Sequence, residues 1–368
     1  MKNKKIIYGV SLILSICALA LPARASETAE GFEDFAPECS QALSDNVKVD
    51  SRLRELFFGG EKVANSADML VPGGAVFGIK MKQTHVTVTD SAAIPALSPG
   101  DVILSVNGKE IHTVEDMRKI IEASGGCSVT LKAIHKGSEI AIEARPSLVD
   151  GSYKLGLGLR DSASGIGTIT FYDPKTGAFG GLGHGICDSE TGEVISMESG
   201  EVCGVILGGV HKGECGKPGE LSGILKDKKL GTLNDNNECG VFGILKDSSV
   251  LNSTSAIPVG KKSDVHEGEA TILSTLKNGK CAEYKIEIYD IDKTSLGSKS
   301  FRIRTKDPAL TAISGGIVRG MSGSPIIQDG KLVGAVTHVM VANPTEGYGI
   351  FIENMLSASK RQSTPKAA

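Results

Sequence analysis

The sequence predicts a mainly β protein with two folded domains behind an export segment. Three observations carry this. Glycine, at 46 of 368 residues, stands well above its usual share of about 7%. Aromatic residues make up only 4%, and Trp is absent. From Met69 onward, short runs of alternating apolar and polar residues are separated by glycine turns, a pattern of many short strands rather than of a helical bundle. The length accommodates about two domains, each able to bury a core. Charged residues are 23% and the formal net charge is -3, so no basic face argues for nucleic acid and no acidic tail for a solubilising arm.

The chain starts with Lys2, Lys4 and Lys5, an apolar run from Ile6 to Leu21, and Pro22-Ala23-Arg24-Ala25. A basic start, a short apolar run and a small-x-small site ending at Ala25 read as an export signal over 1–25, cleaved or kept as an anchor. The apolar run is shorter than the roughly 20 residues of a comfortable membrane span. Residues 26–65 read as a linker, with acidic Glu27, Glu30, Glu33 and Asp34. Removing Cys17 with the signal leaves an odd number of cysteines, which argues against a dedicated disulfide framework.

The first folded domain is expected over 66–147. A glycine loop leads into a strand at Val76-Phe77-Gly78-Ile79, and Val86-Thr87-Val88 alternates. Pro99-Gly100 precedes an apolar strand, Val102 to Val106, closed by the hairpin turn Asn107-Gly108. Val114, Met117, Ile120 and Ile121 recur at helical spacing, and Val129 to Ile142 forms a closing strand pair. The order, and the stretch Gly100-Asp101-Val102-Ile103-Leu104-Ser105-Val106-Asn107-Gly108 above all, resembles a PDZ domain of the bacterial protease-associated kind. The resemblance implies that Val76, Phe77, Gly78 and Ile79 receive a C-terminal peptide, which adds as a strand while backbone N–H groups hold its carboxylate.

The second domain is expected over 148–360, with a tail at 361–368. Gly320-Met321-Ser322-Gly323-Ser324-Pro325 reads as a tight turn that projects a serine hydroxyl just before a buried strand. A peptidase serine needs such a bend, a nearby base, and N–H groups aimed at the oxygen that becomes negative during attack. Flanking glycines suit all three, with Gly320 and Ser322 as the N–H donors. Upstream, Gly181-Leu182-Gly183-His184-Gly185-Ile186 frames one histidine with glycines in an apolar stretch, which suits a base that a hydroxyl must approach. His338, on the strand after the serine turn, is the competing histidine. An acid should fix the imidazole tautomer. Asp307, Asp188 and Asp290 all remain open by spacing. His184, Cys187, Cys203, His211 and Cys215 could be strung into a zinc site, but no compact Cys-x-x-Cys pair occurs, so neither metal nor other cofactor is expected.

The histidine stretch, Asp307-Pro308, the run from Gly315 to Gln328, Gly334 to Val339, Asn343-Pro344-Thr345 and Gly347-Tyr348-Gly349-Ile350 together resemble the stage IV sporulation protein B peptidase family. The resemblance implies an export signal, a PDZ domain and a chymotrypsin-like double β-barrel, with Ser322 as nucleophile, His184 as base and Asp307 as orienting acid. It further implies export from the forespore into the space between forespore and mother cell, and trimming of the protein's own N-terminal region. The implied substrate is a membrane-bound regulator of an intramembrane protease, whose cleavage activates a late mother-cell sigma factor. The alternative is a catalytically silent PDZ scaffold.

Overall fold

The computed structural model describes residues 69–251, 255–277 and 279–360, all within one compact unit. The expected export signal, linker and C-terminal tail lie outside the described residues. In chain order the elements begin with β1 (Met69–Pro72), β2 (Val76–Asp90), β3 (Val102–Val106), β4 (Lys109–Glu110), helix α1 (Val114–Ala123), β5 (Val129–His135), β6 (Ser138–Ala144), β7 (Ser147–Val149) and β8 (Ser152–Lys154). There follow β9 (Gly158–Tyr172), β10 (Ala178–Gly181), β11 (Met197–His211), β12 (Glu220–Asn237), β13 (Gly240–Leu245) and β14 (Ile257–Pro258). The last third holds β15 (Gly268–Lys277), β16 (Lys280–Ile291), β17 (Phe301–Thr305), α2 (Pro308–Ser314), β18 (Pro325–Gln328), β19 (Lys331–Met340), β20 (Asn343–Phe351) and α3 (Ile352–Lys360).

Two closed barrels result, as the sequence reading expected of a double-barrel peptidase fold. Antiparallel pairing carries β2 to β9, β9 to β10, β10 to β13, β13 to β12, β12 to β11 and β11 back to β2, which closes a six-stranded ring. The second ring is β15-β16-β17-β20-β19-β18. Inward-facing alternate residues fill each: Phe77, Ile79, Met81, Ile169, Phe179 and Val241 in the first, and Ile272, Ile286, Ile303, Ile326, Val336 and Phe351 in the second. Val76 and Leu221, from the first ring, bury their side chains in the second ring's cluster. The cores are therefore continuous across the junction where a cleft must form.

The PDZ domain is also present, and its local signals read correctly. Asn107 and Gly108 both take positive φ, 51° and 74°, the geometry that a two-residue hairpin turn demands. Thr113 caps α1, and Asp116 returns the bond to the Thr113 N–H. Met117 and Ile121 then face Val86, Ile103 and Leu131.

Its boundaries differ from those expected. The domain grows out of the first barrel, between β2 and β9, rather than preceding the barrel. Residues 76–82 of β2 pair with β9 and β11 inside the barrel, and only Val86 and Thr87 pair with β3. β9 behaves in the same way, since Gly158 to Arg160 lie beside the far end of β2 and Gly165 to Thr168 beside its start. A strand of 15 residues serves two sheets, and period-two alternation does not mark where its neighbours change.

Candidate active site

His184 and Ser322 come from different barrels and line the same cleft, of about 1090 Å³, together with Gly320, Thr337, His338 and Cys187. The histidine loop leaves β10 at Gly181, and Leu182 takes a φ of 66°, uncommon for a leucine. The serine loop joins α2 to β18. Gly323, with a φ of 94°, packs so closely that a Cβ there would lie 2.0 Å from the Thr168 carbonyl oxygen and 2.4 Å from the Leu182 nitrogen. Glycine is required at that position by both conformation and space.

Residues that the sequence did not single out hold the serine loop. On β9, the Thr168 N–H donates to the Ser322 carbonyl at 2.9 Å, and Thr168 Oγ1 donates to the Gly320 carbonyl at 2.8 Å. Thr170 Oγ1 donates to the Gly323 carbonyl at 2.8 Å. Both threonines are fully buried. These bonds orient the loop carbonyls into the first barrel. Neither the Gly320 nor the Ser322 N–H has an acceptor among the described residues. No sequence signal marks Thr168 or Thr170, because each looks like any polar residue on an alternating strand some 150 positions from its partner.

The imidazole of His184 has a defined tautomer. Its Nδ1 lies 2.8 Å from the Gly185 carbonyl oxygen. A carbonyl only accepts, so Nδ1 carries the proton and Nε2 the lone pair. Burial pushes the His184 pKa below its ordinary value, against a smaller upward effect of the Gly185 bond. The His338 ring lies 4.7 Å away, centroid to centroid, and tilted by 35°. Burial, then the charges of His184 and Lys299, push its pKa down to about 4, and its buried Nδ1 has no hydrogen-bond partner. The Ser322 hydroxyl donates to the Thr337 carbonyl at 2.7 Å, so in this conformation its proton points along β19 rather than at His184.

The expected acid is not brought to the imidazole. Asp307 is the N-cap of α2. Its Oδ1 accepts from the N–H groups of Ala309 at 2.8 Å and Leu310 at 3.4 Å, and its Oδ2 from that of Lys285 at 3.2 Å. Partial burial works to raise its pKa, but these three N–H groups outweigh it and hold the carboxyl below the usual range. The Asp-Pro turn is thus a helix start, a role that Asp307 and the following Pro308 suit equally well from sequence. The other two candidates are also engaged elsewhere: Asp188 pairs with Arg160 and accepts from the Glu190 and Thr191 N–H groups, and Asp290 pairs with Arg302 at 3.2 Å. Glu193 and Glu238 line the cleft without a hydrogen bond to His184.

The proposed peptide loop is likewise relocated. Gly78 and Ile79 are paired on both sides, by β9 and β11, and Phe77 is fully buried against Phe179 with ring centroids 5.8 Å apart. Gly78 and Ile79 therefore present no edge to which a strand could add, and Ile79 instead lines the cleft. An edge does exist where β9 starts. Gly158 to Arg160 pair with β2 on one side, no strand among the described residues covers the other, and the next residue, Asp161, accepts from the Val114 N–H at the start of α1. Among the described residues no group of three or more His, Cys, Asp or Glu side chains is arranged to hold a metal ion.

Two proteins named as zinc metalloproteases share short stretches with the chain. One, from Mesorhizobium japonicum, is 27% identical over 82 residues, 22% of each chain. The other, from Nostoc sp., is 33% identical over 86 residues, 22% of this chain and 24% of that one. The chain thus spans less than a quarter of the length of these curated relatives. Among solved structures, the PDZ domain of the SdrC-like protein of Listeria monocytogenes is similar at 21% identity, covering 21% of this chain and 90% of that one, with a TM-score of 0.20. The inactive form of the Rv3671c protease of M. tuberculosis is similar at 11% identity, covering 54% of this chain and 83% of that one, with a TM-score of 0.31. Residues 90–134 match a PDZ domain family. Residues 151–356, more than half of the chain, match the SpoIVB peptidase S55 family, and with a serine loop and a histidine loop meeting in the cleft between two β-barrels, this PDZ-containing chain belongs to that family of serine peptidases.

Proposed function

We propose that the protein is an exported serine endopeptidase in which Ser322 is the nucleophile, His184 the general base, and the N–H groups of Gly320 and Ser322 the donors to the oxyanion. The observation that carries this is the single cleft in which the Ser322 hydroxyl and the His184 ring stand beside two N–H groups without acceptors. In the reaction, the Ser322 hydroxyl leaves the Thr337 carbonyl, and its oxygen attacks the scissile carbonyl carbon while its proton passes to His184 Nε2. The negative charge that develops on the substrate oxygen is met by the two N–H groups. His184 then gives the proton to the leaving amine, and water, deprotonated by the same nitrogen, releases the acyl group from Ser322. Nδ1 keeps its own proton throughout and donates its hydrogen bond to the Gly185 carbonyl.

The family supports a place in sporulation signalling: secretion from the forespore, trimming of its own N-terminal region, and cleavage of a membrane-bound regulator that restrains an intramembrane protease, with release of a late mother-cell sigma factor. The open edge of β9 at Gly158 to Arg160, beside α1, supports binding of a C-terminal peptide by the PDZ domain there. The test is N-terminal sequencing of the protein from sporulating cells, wild type beside Ser322→Ala. Wild type should lose part of its first 65 residues beyond the export signal, and the variant should keep them. Equal trimming in both would reject Ser322 as the nucleophile for self-cleavage.

A further inference from the structure

The histidine loop is anchored on the PDZ domain as well as on the barrel. Four positions after His184, Asp188 opens a tight turn: its Oδ1 accepts the Glu190 and Thr191 N–H groups at 2.9 and 3.1 Å, and its carbonyl accepts the Gly192 N–H at 2.9 Å. Thr191, within that turn, packs on Gly100 of the PDZ domain, where a Cβ would lie 2.5 Å from its Cγ2. The other carboxylate oxygen, Oδ2, accepts from Nη2 of Arg160, at the PDZ end of β9. Asp188 is only 8% exposed, so its charge is withdrawn from water and balanced by this guanidinium. Arg160 Nε is buried too and has no acceptor among the described residues, so Nη2 carries the link.

Between Asp188 and His184 the backbone has little slack. Cys187 pairs with Val194, and the Ile195 N–H donates to the Ile186 carbonyl at 2.9 Å. The Asn236 amide accepts from the Ile186 N–H at 2.8 Å and donates back to the Ile186 carbonyl at 3.0 Å. A Cβ at Gly185 would lie 2.9 Å from both the Asn237 carbonyl oxygen and the Val194 side chain. A shift of Asp188 is therefore passed along the loop to His184 rather than absorbed. Arg160 itself is not among the residues that line the cleft. We propose that Arg160 is a positioning residue of the peptidase: through Asp188 it sets the place of the histidine loop, which makes the inserted PDZ domain part of the scaffold that holds the base. This rests on the serine-peptidase reading above and adds to it a residue that does not meet the substrate.

Charge balance and positioning make separable demands on this pair. Arg160→Met keeps most of the volume but leaves the Asp188 carboxylate buried without its cation. Adding Asp188→Asn removes that charge while keeping an oxygen for the Glu190 and Thr191 N–H groups, and a buried pair replaced by neutral groups of similar volume is often as stable as before. Arg160→Lys keeps the charge and an N–H donor, which suffices for a link made through one nitrogen. The experiment compares the full-length protein with Arg160→Met, Arg160→Lys and the double variant Arg160→Met/Asp188→Asn, with Ser322→Ala as control. It measures steady-state cleavage of fluorescently labelled casein, the rate of Ser322 labelling by a fluorophosphonate, and Tm. Active sites are counted from the final extent of labelling, so that kcat refers to folded molecules alone.

The expected result is that Arg160→Met lowers Tm and loses about tenfold in both kcat and labelling rate, with KM within about twofold of wild type, because a displaced base acts on the reaction and not on the bound substrate. The double variant should regain most of the lost Tm and still stay at or below about a fifth of wild-type kcat, since neutrality restores balance without restoring the link. Arg160→Lys should stay within about threefold of wild type in kcat. The proposal is overturned if the double variant recovers kcat, if Arg160→Met keeps the wild-type kcat, if its loss appears in KM alone, or if Arg160→Lys is as slow as Arg160→Met. A Ser322→Ala variant as active as wild type would instead reject the peptidase assignment beneath the proposal, an outcome distinct from all of these.

Discussion

The chain contains two glycine-framed segments that read alike as functional loops, Val76 to Ile79 with its preceding glycines and Gly320 to Gly323, and their fates differ. The first is a strand of the first barrel, paired on both sides at Gly78 and Ile79. The second is an open turn whose glycines let it press against β9 and the histidine loop while two N–H groups find no acceptor among the described residues. In the first, glycine at position 78 makes room for Leu225 and Cys203 side chains; a Cβ there would come within 2.6 and 2.7 Å of them. In the second, glycine at 323 makes room for backbone. Glycine thus signals close approach in both places, and only the partner decides between packing and chemistry.

That contrast is broken or sharpened by five measurements. The largest effect is expected for Ser322→Ala and His184→Ala, each of which should lose at least about a thousandfold in kcat/KM on labelled casein, because the two groups act as one unit. A near-normal rate in His184→Ala would transfer the base role to His338. Next, Phe77→Ala should cost about 3–5 kcal/mol in urea unfolding, as for any fully buried phenylalanine. A peptide-loop residue would lose ligand affinity at unchanged stability, so a small cost would restore the loop assignment. Gly323→Ala should cost about 1–3 kcal/mol from its φ alone, with further loss from the clash with Thr168, and should abolish fluorophosphonate labelling before it abolishes folding.

The smallest effects are in pH. His338 titrates near 4 when folded, against about 6.5 when unfolded, so the unfolded state takes up a proton first as pH falls. Its contribution is whole above about 6.5 and is lost progressively towards 4. The wild type should therefore lose on the order of 2 kcal/mol over that window relative to His338→Gln, measured by urea unfolding at each pH. The lowered pKa of His184 has a kinetic counterpart. The base stays neutral as pH falls, so the acid limb of kcat/KM should lie below the ordinary histidine value. A limb at or above about 6.5 would mean that the titrating base is exposed, unlike His184.

Much of the local structure was legible. The Asn107-Gly108 turn and the apolar stripe of α1 are governed by neighbours in sequence, and each stands where the pattern put it. Ser322 and His184, which the structure brings into one cleft, stood out in the sequence because glycine framing of a reactive side chain is a local feature. The acid was not. Asp-Pro at 307 and 308 is a good helix start and a plausible end to a strand before a catalytic residue, and the two readings share one pair of residues. Nor could the PDZ boundary be read, since β2 and β9 keep one alternation while passing from barrel to binding domain.

By itself, then, the sequence determined the mainly β fold, the two kinds of domain, and the serine and histidine that line the cleft between the barrels. Tertiary structure alone decided that the PDZ domain is inserted within the first barrel, that Thr168 and Thr170 hold the serine loop, and that a backbone carbonyl rather than Asp307 faces His184 Nδ1. Propensity, capping and turn geometry act over a few residues and leave a written trace. Strand partners and hydrogen bonds across some 150 positions are chosen by which faces must be buried together, and no short stretch of sequence records that choice.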